Sequence, residues 1–188
     1  MSEHLGAWYR RVAEDPDSDI ALHFPTFGRL VSALRAKTVI ELGVREGHST
    51  AAWLWFLRRG GQLWSVDVEP VNLPPRRGWT FIQGDDTDPA VVDQLPDEAD
   101  IVFIDTSHDY EHTCLELATY AEKLRPGGVM VLHDVTNEHP EDRGEPIGPQ
   151  DPFPVRRAME EWADRNRYES NIDTRSWGLG IVWVHPRP

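Results

Sequence analysis

The chain alternates short, β-branched apolar runs with stretches of helical hydrophobic period. That alternation restricts it to an α/β fold with a mostly parallel sheet. Phe27, Leu30, Val31 and Leu34 recur at helical spacing, and the run Thr38-Val39-Ile40-Glu41-Leu42 follows, closed by Gly43. Residues 49–57 are apolar on every side, which predicts a helix buried against a sheet and stopped at Gly60-Gly61. Further strands are expected at 63–68, 79–83 and 101–104, the last with both faces covered. Asp88-Pro89 reads as an N-cap with Pro at the first helical position, opening a helix to about Leu95. Cys114, Leu117, Ala118, Ala121 and Leu124 mark one face of the next helix, and Pro126-Gly127-Gly128 turns the chain into a fifth strand at 129–132.

Beyond that strand the rhythm breaks. Residues 135–154 hold five prolines and no apolar period, which predicts a long loop able to close as a mobile lid over an acceptor. Val155, Ala158, Met159 and Trp162 restore a helix. Extended runs at 168–173 and 179–185 flank Ser176-Trp177-Gly178 and predict an antiparallel pair at the sheet edge.

The 188 residues suit one domain, taken as 1–188 with a helical extension at 1–23, and they contain no internal repeat. Nineteen Lys and Arg stand against 32 Asp and Glu, a net charge of −13, which argues against nucleic acid or an anionic membrane surface as partner. No apolar stretch is long enough to span a bilayer, and the first residues lack the apolar core of a secretory signal. With Cys114 as the lone cysteine, a cytoplasmic location is expected.

Chemistry concentrates at the ends of the predicted strands. After the first comes Glu41-Leu42-Gly43-Val44-Arg45-Glu46-Gly47-His48-Ser49-Thr50, a strand-to-helix loop at the edge where open α/β sheets bind nucleotides. Gly43 allows a tight turn with positive φ, Gly47 lets backbone approach a ligand, and Ser49 or Thr50 can cap the helix. The second strand ends at Asp67, spaced from the glycine loop as a ribose-binding carboxylate would be, followed by Val68. The third ends in Gly84-Asp85-Asp86, where an acid can meet an adenine amine and turn chemistry explains the pattern almost as well. Gly43 lacks the Gly-x-Gly-x-x-Gly context of a dinucleotide fold, since Arg45 and His48 stand where glycines would.

These residues resemble the class I S-adenosylmethionine-dependent methyltransferases over most of the chain. The resemblance implies a Rossmann-like, doubly wound, mostly parallel seven-stranded sheet with an antiparallel edge strand. It also implies S-adenosyl-L-methionine held by Glu41, Gly43, Val44, Gly47, Ser49, Asp67, Val68, Asp85, Asp86 and Asp105.

The fourth strand runs out into Asp105-Thr106-Ser107-His108-Asp109-Tyr110-Glu111 and the fifth into His133-Asp134. If the two strands are neighbours, Asp105, His133 and Asp134 converge on one divalent cation, carboxylates suiting Mg²⁺ or Mn²⁺ and an imidazole tilting the choice toward Mn²⁺, Fe²⁺ or Zn²⁺. This pattern resembles the metal-dependent small-molecule O-methyltransferases, in particular the branch with macrocin- and mycinamicin-type sugar enzymes and cephalosporin-hydroxylase-like proteins. The resemblance implies Asp105, His133 and Asp134 as metal ligands and His108 as a base, with Asp105 and His108 carrying catalysis. The expected acceptor is a hydroxylated small molecule, a natural-product sugar or catechol-like group. Family analogy adds a homodimer. His133 departs from the family's usual acid, and the large N-terminal region of the sugar-modifying members has no counterpart here.

His112, one turn beyond His108, reads as a surface residue, Trp177 as a candidate acceptor wall, and the segment from His23 to Phe27 as packing. Two other functions fit part of the pattern: a non-haem iron oxygenase using His108, Asp105 and His133, and a non-catalytic binder of the methyl donor.

Overall fold

A computed structural model describes residues 4–57, 60–136 and 153–184. Helix α1 spans Leu5–Ala13, and a short 3-10 turn at Ala21–His23 runs directly into α2, Phe24–Leu34. Then follow β1 (Thr38–Leu42), α3 (His48–Phe56), β2 (Gln62–Asp67), β3 (Trp79–Gln83), α4 (Pro89–Val92), β4 (Ala99–Ile104), α5 (Tyr110–Ala121) and β5 (Leu124–His133). The chain closes with α6 (Pro154–Asn166), β6 (Glu169–Asp173) and β7 (Leu179–Trp183).

Seven strands form one sheet in the order β3-β2-β1-β4-β5-β7-β6. The first five are parallel and β7 is antiparallel to both its neighbours. The sheet is the seven-stranded, mostly parallel one expected, and its reversed strand β7 sits inside the edge pair, with β6 outermost. Strand order reverses between β1 and β4, so the connections leaving their carboxyl ends diverge and open a crevice there.

Alternation along the strands divides the core in two. Ile40, Leu42, Val102, Ile104, Met130 and Leu132 pack toward α5 and α6. Val39, Ile101, Phe103, Val129 and Val131 face α1, α2 and α3, where Phe27 stacks on Trp53 at 3.9 Å. Buried on both faces, these strands carry continuous apolar runs, the reason they stand out in the sequence.

Local differences from the sequence reading have local causes. Asp88 caps α4 by accepting from the Ala90 N–H at 2.9 Å, but the α-helix ends at Val92 and continues only as turns to Leu95. Strand β5 begins at Leu124, already paired with Ala99. The Pro-Gly-Gly is therefore a register shift inside the strand, with Gly127 at φ 77°, and not the turn that precedes it. The expected lid at 135–154 lies almost wholly outside the described residues. Its first residues, Val135 and Thr136, are a turn, and Thr136 N–H donates to the Trp177 carbonyl.

Candidate functional site

Gly43 holds the crevice together. It has φ 84°, and a Cβ placed on it would fall 1.9 Å from the Asp105 carbonyl oxygen. The loops after β1 and β4 therefore meet backbone to backbone, which no side chain at position 43 permits. Gly47 serves a different end. It is the N-cap of α3 at φ 78°, and its missing Cβ would strike Leu73 and Trp8, so packing alone accounts for it.

Behind this loop lies Glu41, fully buried. Its carboxylate accepts from Ser49 Oγ at 2.7 Å, Thr50 Oγ1 at 2.8 Å and Ser65 Oγ at 2.6 Å. Burial pushes the Glu41 carboxyl up to about 7 against the pull of those three hydroxyls. This corrects two expectations. Glu41 does not line the crevice; it pins α3 to β2 from inside. Ser49 and Thr50 do not cap α3, because both hydroxyls are committed to Glu41.

Asp67, at the end of β2, accepts from the Val44 and Arg45 N–H groups through Oδ2 (2.8 and 3.0 Å) and from Glu69 N–H through Oδ1 (2.9 Å). It shapes the glycine loop, and Oδ1 keeps acceptor capacity for a hydroxyl. The neighbouring Val68 is 62% exposed, an apolar surface beside that carboxylate. The two acids after β3 point opposite ways. Asp85 is exposed and accepts from the Thr87 N–H and hydroxyl, which hold its carboxyl below the usual range. Asp86 is buried and turned inward against α5, with His112 Nε2 3.0 Å from its Oδ1. The expected donor contact through Asp86 is thereby overturned, and so is the reading of His112 as a surface residue.

A cavity of about 710 Å³ opens at the crevice. Val44 and Ser49 line one side, Asp105, His108 and Asp134 another, and Trp177 the end formed by the turn before β7. That turn holds three successive positive φ angles, at Ser176, Trp177 and Gly178, and it is tied to the start of the chain. Ser176 Oγ donates to the Asp19 carbonyl, and His23 Nε2 lies 3.0 Å from the Ser176 carbonyl. His23, Phe24 and Phe27 are buried, so that segment packs as expected.

Four side chains converge at the rim. His108 Nε2 is 2.8 Å from Asp134 Oδ2 and 3.5 Å from Asp105 Oδ1. His133 Nδ1 is 3.2 Å and 3.5 Å from the same two atoms. His108, with φ 56°, stands on the cavity side. His133 continues the inward parity of Val129 and Val131 and is buried, its ring edge-on to His23 at 5.7 Å. Asp134, with φ 57°, turns out of strand parity toward the cavity.

Burial opposes charge on all four groups, but their mutual pairing wins. The His133 and His108 imidazoles hold the Asp105 carboxyl well below the usual carboxylate range. Pairing with the same two imidazoles lowers Asp134 as well. In return the carboxylates raise His108 to about 9 and His133 well above the ordinary value. Two imidazoliums and two carboxylates thus balance, and one divalent cation in place of two protons leaves the sum unchanged. Asp105, His108 and Asp134 each offer a ligand atom within 4.8 Å of the others. The structure therefore brings Asp105, His133 and Asp134 together as expected, and adds His108 to the possible ligands.

Residues 40–135, more than half of the chain, match the model of a family described as a methyltransferase domain, and the chain belongs to that family. It is 30% identical over 115 residues to the 8-demethyl-8-alpha-L-rhamnosyl tetracenomycin-C 2'-O-methyltransferase of Streptomyces olivaceus, covering 56% of this chain and 30% of that protein. Over 107 residues it is 30% identical to the demethylmacrocin O-methyltransferase of Streptomyces fradiae, 52% of this chain and 27% of the other. A rhamnosyl O-methyltransferase of Mycobacterium tuberculosis is 27% identical over 129 residues, 61% and 52% of the two chains. The matched segment thus spans about a quarter to a half of these curated relatives.

In fold the chain is similar to MycE methyltransferase of mycinamycin biosynthesis, solved with Mg, SAH and mycinamycin VI, at TM-score 0.71 and 21% identity, covering 98% of this chain and 55% of that one. A Bacillus cereus O-methyltransferase in complex with SAH gives TM-score 0.66 and 18% identity, covering 95% and 90%. Among the described residues no helix is long and apolar enough to cross a membrane.

Proposed function

We propose that this chain transfers a methyl group from S-adenosyl-L-methionine to a hydroxyl of a small-molecule acceptor, with a divalent cation at Asp105 and Asp134. One observation carries the reading. The glycine loop of β1 and the Asp105–His108–Asp134 group face a single cavity, so donor and acceptor sites adjoin. Two relatives carry a rhamnosyl group in their names, which supports a glycosylated or otherwise hydroxylated acceptor.

Each residue has a physical task in this scheme. Val44 and the Gly43 backbone approach the donor, Asp67 Oδ1 accepts from a ribose hydroxyl, Val68 packs under adenine, and Asp85 accepts from its amine. Asp17, Asp19 and Glu46, which line the cavity beside the rim, favour binding of the cationic sulfonium donor. The donor set fits a cation: two carboxylate oxygens and an imidazole nitrogen, close enough to share one ion. Bound there, a divalent cation lowers the pKa of a hydroxyl oxygen and fixes its position. Where the two carboxylates alone hold the cation, His108, which lines the cavity beside them, would take the hydroxyl proton, and the buried His133 lies against both carboxylates. Trp177 supplies an apolar wall for the acceptor.

The test has two stages: calorimetric titration of S-adenosyl-L-methionine with and without Mg²⁺ or Mn²⁺, then a screen of rhamnosides and catechols for S-adenosylhomocysteine release. The expected result is donor binding and metal-stimulated release. Absence of donor binding sinks the proposal, and binding without turnover across the screen would leave a non-catalytic donor-binding protein.

A further inference from the structure

Asp86, His112 and Glu116 form a second knot of ligating groups, at the junction of β3 and α5 and separate from the cavity rim. Their ligand atoms all lie within 4.8 Å of one another. The junction is stiff: the Tyr120 hydroxyl donates to the Asp86 carbonyl oxygen at 2.8 Å, and Thr106 Oγ1 donates to Glu116 Oε1 at 2.6 Å. Glu116 is fully buried, yet its Oε2 has no hydrogen-bond partner among the described residues. Asp86 Oδ1 is likewise buried without one, although His112 Nε2 lies 3.0 Å away. Two buried carboxyl oxygens that no N–H or O–H satisfies are costly unless a proton or a cation stands between them.

We propose that Asp86, His112 and Glu116 bind a Zn²⁺ ion that locks the end of β3 to α5. The imidazole among two carboxylates tilts the choice toward a borderline cation such as Zn²⁺, and the burial of Asp86 and Glu116 leaves little room for the waters that Mg²⁺ keeps. The spacing agrees. His112 Nε2 lies 3.0 Å from Asp86 Oδ1 and 3.6 Å from Glu116 Oε1. These distances bracket the roughly 3.3 Å edge of a tetrahedron built on Zn–N and Zn–O bonds of about 2.0–2.1 Å. His112 is partly exposed, which gives the ion a way in and leaves the fourth position to water. Thr106 fixes the orientation of Glu116, as a hydrogen-bonded carboxylate ligand requires. Because Thr106 follows Asp105, the ion would steady the loop that carries the cavity rim.

The experiment uses chelator-stripped full-length protein and Zn²⁺ itself, with competition against a chromophoric chelator. In the background Asp105→Asn/Asp134→Asn, which removes the rim carboxylates, one Zn²⁺ is expected per chain, with a thermal midpoint that rises with Zn²⁺ concentration. Adding His112→Ala should weaken that binding at least about tenfold and abolish the thermal shift. If the triple variant does not fold, Co²⁺ absorption in the single variant His112→Ala decides: one tetrahedral spectrum fewer than the native chain supports the site. No Zn²⁺ uptake in the rim-disabled protein, or uptake indifferent to His112→Ala, overturns it and leaves a proton-sharing carboxyl pair.

Discussion

The Asp105 carbonyl oxygen occupies the space that a Cβ on Gly43 would need. Two loops with different tasks, one beside the expected donor and one beside the expected cation, are thus joined through a contact that only glycine allows. Gly43→Ala must bend backbone at φ 84° and displace the end of β4. We expect a stability loss on the order of 3 kcal/mol, among the larger single-residue effects, measurable by urea unfolding. Donor affinity should fall with it even in protein that remains folded.

The two rim carboxylates separate cation binding from donor binding. Asp105→Asn and Asp134→Asn are expected to lose most Mg²⁺ or Mn²⁺ affinity and turnover while retaining S-adenosyl-L-methionine binding by calorimetry. An equal loss of donor affinity in both variants would show that they do not hold the cation.

His108 is open to two roles, and they differ in what its removal does. As the proton acceptor, its replacement by Ala leaves cation affinity intact and slows turnover most at neutral pH. As a ligand, the same change weakens the cation first. In metal-free protein the sign of its linkage is set. Its folded pKa of about 9 lies above the ordinary value of 6.5, so its stabilising effect is complete below pH 6.5 and is lost as pH rises through about 9. Thermal melts from pH 6 to 9.5 should therefore fall more steeply for the native chain than for His108→Ala. Cation affinity should climb over the same interval if the imidazole is a ligand.

Glu41 acts in a lower window. Its folded pKa of about 7 exceeds the ordinary 4.5, so the fold is favoured below pH 4.5 and loses that contribution as pH rises to about 7. Glu41→Gln, which removes the titrating charge and keeps one acceptor oxygen for Thr50 and Ser65, should flatten this slope. The readout is the difference in thermal midpoint between pH 5 and pH 8 for the two proteins.

Strands β1, β4 and β5 were legible because they are buried on both faces and carry unbroken apolar runs. Asp105 and Asp134 were legible because they end such strands. What the sequence could not convey was side-chain direction after the strand ends. Asp85 and Asp86 are adjacent and chemically alike, yet one faces water and the other α5, a choice made by the turn and by the partner that α5 supplies in His112. Glu41 looked like a ligand-facing acid because it opens the glycine motif. Strand parity places it on the inner side with Val39, and the hydroxyls at 49, 50 and 65 were the signal that it has partners there. The same parity argument, applied from Val129 and Val131 to position 133, would have separated the inward His133 from the cavity-facing His108.

The turn at Ser176–Gly178 clasps Asp19 and His23 across more than 150 residues. A ribosome-bound chain that has already threaded its glycine loop and both rim carboxylates still lacks the wall that Trp177 provides. The pocket therefore closes only after β7 has emerged and slotted between β5 and β6, so ligand capture waits on the strand that joins last.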